Sequence, residues 1–287
     1  LPSSTDPEST ARQTLVAAVA ELVVAGNTNP RRDAELLLLS ATGWRRNDLI
    51  TDPERPLTAA QLIQFRQLIG RRKAHEPIQY ITGEREFYGL RFEVNPSVLI
   101  PRPETEHLVE AALERISKDR PTRIADIGTG SGAIAVAIAH HRALAEITAL
   151  DISPAALEVA IRNAIANEVD NRIRFFNSDL LSAVAGERFD MIVSNPPYIA
   201  YSEHDSLEPQ VRDYEPQEAL FAGPTGFEVY EKIIPQAQKS LRPAGWLLME
   251  IGAGQHVQLQ QLLISWNDVG FVADLQGIAR VAIARAF

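Results

Sequence analysis

Residues 124–139 read IADIGTGSGAIAVAIA: a short apolar run holding Asp126, three glycines at alternate positions, and an alanine-rich stretch. The first part is a strand by its composition and the last a helix. Gly128, Gly130 and Gly132 between them permit backbone angles and close approaches that a side chain blocks. A strand turning through glycines into a helix is the unit from which nucleoside-binding α/β sheets are built. Asp151 closes the next strand roughly twenty residues beyond the loop, where a carboxylate can accept from ribose hydroxyls. Asp126, just before the loop, could hold a positively charged cofactor group or its contacts. With Ala133 in the last position, GTGSGA also fits the relaxed dinucleotide fingerprint, so the loop alone leaves a nicotinamide oxidoreductase open.

Outward from that loop the chain alternates. Strands are expected at 123–127, 146–151, 172–177, 189–194, 246–251, 271–275 and 280–285, and helices at 132–141, 154–167, 227–241 and 256–268. This alternation predicts a seven-stranded, mostly parallel, doubly wound sheet with helices on both faces. A third acid, Asp179 in NSDLL, ends the third of these strands.

The chain before residue 103 has a different pattern. Leu15, Val19, Leu22 and Val23 recur at helix spacing, as do Ala34, Leu37, Leu38 and Ala41. A further helix opens at Thr58, with Gln61 placed to complete a capping box and Leu62, Phe65 and Ile69 on one face. GNTNP at 26–30 and TDPERP at 51–56 are the breakers. Two β-prone runs flank Tyr88-Gly89, a hairpin, and VLIPRPETE at 98–106 leads into a helix with Leu108, Val109, Ala112 and Ile116 inward. The expected division is a helical substrate-recognition bundle over 1–75, a hairpin linker over 76–102 and the α/β domain over 103–287.

Composition narrows the function. The 287 residues are 45% hydrophobic and 23% charged, with a formal net charge of −9, which argues against general affinity for nucleic-acid backbones. There is no cysteine, so disulfides, thiolate metal sites and cysteine nucleophiles are excluded. No histidine and acid pair has metal-ligand spacing, and no metal is expected. LPSSTDPEST at the start lacks the regions of a signal peptide, and no apolar run reaches the length of about 20 residues that spans a bilayer. A cytoplasmic protein without membrane attachment is expected. His140 and His141 read as a solvated helix end, and Glu250 in MEIG as a loop cap.

DMIVSNPPYIAY at 190–201 carries the chemistry. Pro196 and Pro197 donate no backbone hydrogen bond and stop the ladder at Asn195. The turn suits alkylation of a planar, conjugated nitrogen, whose delocalised lone pair makes it a poor nucleophile. Asn195 Oδ1 and the Pro196 carbonyl can each accept one N–H and draw electron density onto that nitrogen. Pro197 stiffens the turn, and Tyr198 offers a face to stack on. Asn195, Pro196 and Tyr198 are therefore the candidate catalytic residues.

The glycine loop with acids at three successive strand ends resembles the class I methyltransferases, which bind S-adenosylmethionine (SAM) in this turn. That resemblance implies SAM contacts from Asp126, Gly128, Thr129, Gly130, Ser131, Gly132, Asp151, Asp179, Leu180 and Asn195, with Asp179 at the adenine amino group and Leu180 on the purine. GEREFYGLRFEVN, LIPRPETE, DIGTGSGAIA, SNPPYI and YEPQEALFAG (214–223), in that order, resemble the PrmC/HemK family. Its members methylate the amide nitrogen of the glutamine in the Gly-Gly-Gln motif of peptide-chain release factors. The resemblance implies release factors as partners, a monomer, no stable nucleic-acid complex, and substrate contacts from Asn195, Pro196, Pro197, Tyr198 and Arg102. It puts Arg102, Glu104 and Thr105 beside the substrate mouth; a purely structural Pro-rich linker is the other reading of that segment. Some members have Trp where this chain has Leu180. A nucleic-acid amino-methyltransferase shares the Asn-Pro-Pro-Tyr turn, but this chain lacks a basic target-reading domain. A cofactor-binding module without activity is the non-enzymatic alternative.

Overall fold

Residues 9–287 are described by a computed structural model; the first eight residues of the expected helical bundle lie outside them. The chain divides into two compact units. One takes the described residues up to Gly83 together with Pro209–Tyr214, and the other takes Glu84–Glu208 and Glu215–Phe287.

In the first unit, α1 (Ala11–Val24), α2 (Pro30–Thr42), α3 (Arg46–Thr51), α4 (Ala59–Lys73) and α5 (Ile78–Thr82) surround Leu22, Leu37, Leu38, Phe65 and Ile69. The Thr58 capping box forms: Thr58 Oγ1 accepts from the Gln61 amide at 3.3 Å and Gln61 Oε1 from the Thr58 amide at 3.0 Å. Val23 departs from its expected face and is 57% exposed, because Ala11, Ala18 and Leu22 set the buried stripe of α1. A buried Asp33–Arg72 pair at 2.7 Å ties α2 to α4.

The second unit opens with the hairpin of β1 (Glu84–Phe87) and β2 (Leu90–Glu93). Its two loop residues, Tyr88 at φ 51° and Gly89 at φ 73°, are both left-handed, as a twist-matched two-residue turn requires. Phe87 and Phe92 of the hairpin belong to the core of the α/β unit. The chain continues through α6 (Thr105–Arg115), β3 (Thr122–Ile127), α7 (Ala133–His141), β4 (Ala145–Asp151) and α8 (Pro154–Ala166). β5 (Ile173–Asn177), β6 (Phe189–Ser194) and the two-residue β7 (Ile199–Ala200) follow. After α9 (Pro209–Arg212), which belongs to the first unit, and α10 (Gln217–Leu220) comes β8 (Phe221–Gly223), which pairs with β7. Then come α11 (Glu228–Ser240), β9 (Leu241–Glu250), α12 (His256–Leu262), β10 (Asn267–Ala273) and β11 (Ala279–Arg285).

The main sheet has seven strands in the order β10-β11-β9-β6-β3-β4-β5. Every neighbouring pair is parallel except the two made by β11. This is the expected doubly wound fold. Alternate strand residues supply its two cores: Ile124, Met191, Val193 and Leu248 face the α6–α7 side, whereas Ala125, Ile192, Leu247 and Met249 face α11 and α12. Strand order reverses beside β3, with β4 on one side and β6 on the other. The carboxyl ends of β3 and β6 therefore flank the crevice where such sheets bind ligands.

Two boundaries differ from expectation. β9 starts at Leu241 rather than 246, because Pro243, Ala244 at φ 62° and Gly245 interrupt its alternation and shift its register on β6. The helix expected over 256–268 stops at Leu262. Trp266 turns inward, Asp268 sits at φ 47°, which no helix accommodates, and β10 has already begun. Among the described residues no helix is long and apolar enough to cross a membrane.

Candidate functional site

The carboxyl ends of β3 to β6 open into a cavity of about 990 Å³, walled on other sides by the 97–101 and 216–221 segments. Gly128, Gly130 and Gly132 all have positive φ, at 69°, 56° and 81°. The Gly128 and Thr129 amides donate to the Leu150 carbonyl at 2.8 and 2.9 Å, which binds the loop to the end of β4. At Gly132 a Cβ would come within 3.2 Å of Ala160, so the third glycine lets α7 lie against α8. At Gly128, on the cavity wall, a Cβ would meet no protein atom within 4 Å. That glycine leaves bare backbone for a ligand to approach.

Asp151 also lines the cavity. Its Oδ2 accepts from the Gly130 amide at 2.8 Å and its Oδ1 from the Ser153 amide at 2.9 Å. A carboxylate has about four acceptor positions, so it can hold the loop and still receive a ligand's hydroxyls. Burial pushes its pKa up, and the Ser153 and Gly130 amides pull it down. Asp179 is exposed on the rim, and Leu180 beside it lines the wall at φ 51°. The buried Asn163 on α8 was not foreseen. It donates to the Ser131 carbonyl at 2.8 Å and accepts from the Glu93 amide at 2.6 Å, so the hairpin braces the glycine loop.

Asp126 is placed differently from expectation. It is fully buried under the loop and does not line the cavity. Its Oδ2 accepts from the Thr129 hydroxyl at 2.6 Å, and its Oδ1 has no hydrogen bond of ordinary geometry. Burial raises its pKa to about 7; the Thr129 hydroxyl opposes the rise, the Asp151 charge adds to it, and the Ala135 amide opposes it. Its side-chain contact is with Thr129 of the glycine loop.

At the end of β6 the Asn195 Nδ2 donates to Thr105 Oγ1 at 3.2 Å, leaving Oδ1 as the free acceptor of the amide. Asn195, Pro196 and Pro197 line the cavity, as Thr105 does. Behind the turn, Gln255 Nε2 donates to the Tyr198 carbonyl at 3.0 Å, while Gln255 Oε1 accepts from the Gly252 amide at 2.9 Å. Tyr198 itself is a correction. Its ring packs among the α11–α12 core residues and against Gly252, where a Cβ would lie 3.1 Å from Cδ2, and it does not line the cavity. Arg102 is another, because its guanidinium is committed to Glu215 at 2.5 Å and it lies outside the cavity wall. Glu215 Oε2 also accepts from the Ile100 amide at 3.3 Å. Glu250 is no loop cap: it is 2% exposed, and burial lifts its pKa to about 7. Among the described residues no group of three or more histidines and acids could hold a metal ion.

A family model described as PrmC N-terminal domain matches residues 13–83, and one described as Methyltransferase small domain matches residues 105–209. The release factor glutamine methyltransferase of Koribacter versatilis is 44% identical over 277 residues, covering 96% of this chain and 98% of that protein. The chain belongs to the release factor glutamine methyltransferase family. The Salmonella typhimurium member is likewise 44% identical, with 90% of this chain and 92% of that protein covered. Two solved structures share the fold alone. The hMettl16 catalytic domain in complex with MAT2A 3'UTR hairpin 6 has a TM-score of 0.58 and 18% identity, over 73% of this chain and 80% of that one. A methyltransferase from Pyrococcus furiosus has a TM-score of 0.50 and 20% identity, over 69% and 90%.

Members of this methyltransferase family are enzymes that use SAM as methyl donor, and the cavity fits that group: bare glycine backbone, Asp151 with acceptor capacity to spare, and an exposed carboxylate beside Leu180. The family's YEPQEALFAG segment contributes wall residues to which sequence reasoning assigned no chemistry. Phe221 lines the cavity with Tyr201 and His204, whose rings lie 5.9 and 5.7 Å from its own. Their aromatic character after the Asn-Pro-Pro-Tyr turn was the available signal. Gln255 gave none, being one polar residue at a helix start.

Proposed function

We propose that this chain transfers a methyl group from SAM to the side-chain amide nitrogen of the glutamine in the Gly-Gly-Gln motif of peptide-chain release factors. The observation that carries the reading is the Asn195 amide, held by Thr105 with Oδ1 unengaged beside a glycine-loop cavity. SAM supplies an electrophilic methyl group on a sulfonium. Gly128 to Gly132, Asp151, Asp179, Leu180 and Asn195 would hold it, with Asp126 fixing Thr129 from beneath.

The residues of the turn do the rest by placement. Asn195 Oδ1 and the Pro196 carbonyl each accept one N–H of the substrate amide, which fixes the nitrogen and enriches it in electron density. Proton loss follows alkylation, so no strong base is required. Correct placement of two reactants is worth up to about 7–11 kcal/mol. Pro197 and the exposed ring of Tyr201 offer the flat faces that Tyr198 does not. A lone glutamine side chain gives too little surface to select one residue among many proteins. A release factor offers an interface of about 1,200–2,000 Å², and the helical unit, which carries no cofactor motif, is assigned to read it. The enzyme acts in this reading as a cytoplasmic monomer.

Asn195→Ala tests the reading. Removing a preorganised polar group from a water-excluded site costs about 2.7–4 kcal/mol. Single-turnover transfer to a release factor should slow accordingly, about 100- to 1,000-fold, far more than SAM affinity falls by calorimetry. A rate within a few-fold of the parent's would mean that Asn195 does not hold the acceptor.

A further inference from the structure

We infer that Gln255 is a positioning residue for methyl transfer. Its side-chain amide locks the turn at 195–198 to the end of β9 and so sets where Asn195 Oδ1 and the Pro196 carbonyl stand. The inference rests on the reading of those two groups as acceptors of the substrate N–H. The turn cannot hold itself in place. Pro196 and Pro197 have no N–H to donate, and the Pro196 carbonyl has to stay free for the substrate. Just beyond, Ile199 pairs with Phe221, but in a two-stranded sheet separate from the main one. That pairing does not fix the turn against β6.

Gln255 does. Its Nε2 donates to the Tyr198 carbonyl at 3.0 Å and to the Gly226 carbonyl at 3.5 Å. Its Oε1 accepts from the Gly252 amide at 2.9 Å and from the Tyr230 hydroxyl at 3.2 Å. The two ends of a side-chain amide are nearly identical in shape, so hydrogen-bond partners select between them. Carbonyls only accept and a backbone amide only donates, so the reverse orientation would set oxygen against oxygen and N–H against N–H. The Tyr230 hydroxyl also donates to the Glu250 carbonyl at 3.0 Å, at the end of β9. Ser194 pairs with Met249 across β6 and β9. A closed circuit results: from β6 across to β9, on to Gly252, through Gln255 to Tyr198, and back along the turn to Asn195.

Two glycines are shaped around this amide. At Gly226, with φ 84°, a Cβ would lie 2.6 Å from the Tyr198 oxygen and 3.2 Å from Gln255 Nε2. At Gly252 a Cβ would lie 2.9 Å from Gln255 Oε1 and 3.1 Å from Tyr198 Cδ2. A side chain at either position would push the amide or the carbonyl aside, so both loops reach Gln255 with bare backbone. Gln255 itself does not line the cavity. It acts on the substrate through the turn it holds.

The test is single-turnover methylation of a release factor, with rates expressed per SAM site counted by calorimetry so that lost folded protein cannot mimic a slow enzyme. The release-factor concentration that half-saturates the rate, and the SAM affinity, are measured on each variant. Gln255→Met keeps the length of the side chain and removes its hydrogen bonds. The rate at saturating substrates should fall about 10- to 100-fold, since a misplacement of about 1 Å can cost about a hundredfold. Half-saturation and SAM affinity should change far less. Gly252→Ala leaves Gln255 in the chain and crowds chiefly the end of its flexible side chain, so it should fold and slow transfer in the same way. If Gln255→Met does not fold, Gly252→Ala decides alone. A saturated rate within a few-fold of the parent's in either folded variant, or a loss confined to half-saturation or SAM affinity, overturns the inference. Asn195→Ala run alongside separates the two levels: if it too is at the parent rate, the reading of Asn195 falls and the inference with it.

Discussion

Asp151 serves two masters through one carboxylate, since two backbone amides of its own chain and the cavity share its lone pairs. Asp151→Ala should therefore weaken SAM binding about ten- to hundredfold, the equivalent of about 1.5–3 kcal/mol for a lost charged acceptor. Calorimetry on the folded variant checks this, and unchanged affinity would remove Asp151 from the cofactor site. At this scale the sequence disclosed residue types well and directions poorly. Asp151, Asp179 and Asn195 reach the cavity as their strand-end positions suggested. Asp126 and Tyr198 do not, because which way a side chain leaves a strand end depends on its packing: Asp126 turns under the loop to Thr129, and Tyr198 packs against the α11–α12 core. Glu250 was misjudged for the same reason, as its burial comes from α6 and β11.

Between elements, the Arg102–Glu215 pair joins the Pro-rich 98–106 segment to the segment before α10, and both wall the cavity. The Glu215 side chain is only 1% exposed. Removing one partner of such a pair leaves a buried charge and costs about 3–5 kcal/mol. Arg102→Ala should lower folding stability by that order in urea titration, and Arg102→Ala with Glu215→Gln should be less affected than Arg102→Ala alone. An unchanged midpoint in the single variant would show that the pair holds nothing together. Among elements the central strands β3, β4 and β6 were legible because they are largely buried apolar runs. The start of β9 and the end of α12 were not. Left-handed Ala244 and Asp268 break the pattern there, and only pairing with β6 and β11 reveals the strands.

For the whole molecule, Asp126 and Glu250 each titrate near 7 in the folded chain, against ordinary values of 3.8 and 4.5. The folded state thus keeps protons that the unfolded state has released across that window. Stability is greatest below the unfolded values with respect to these two groups, and their contribution is lost as pH rises toward 7. Glu250→Gln removes one of them, so its stability should fall less steeply with pH than the parent's, by up to about 1.4 kcal/mol per pH unit. Urea titrations at several pH values across this window measure the difference, and parallel slopes would place the Glu250 pKa near its ordinary value. The central claim concerns what the assembled enzyme modifies. The most direct measurement incubates the full chain with methyl-labelled SAM and, separately, a release factor, the same factor with its Gly-Gly-Gln glutamine changed to alanine, and duplex DNA. Label should appear on the intact release factor alone, on the glutamine side-chain nitrogen. Label on DNA but not on the release factor, or equal label on the Gln→Ala factor, would contradict it.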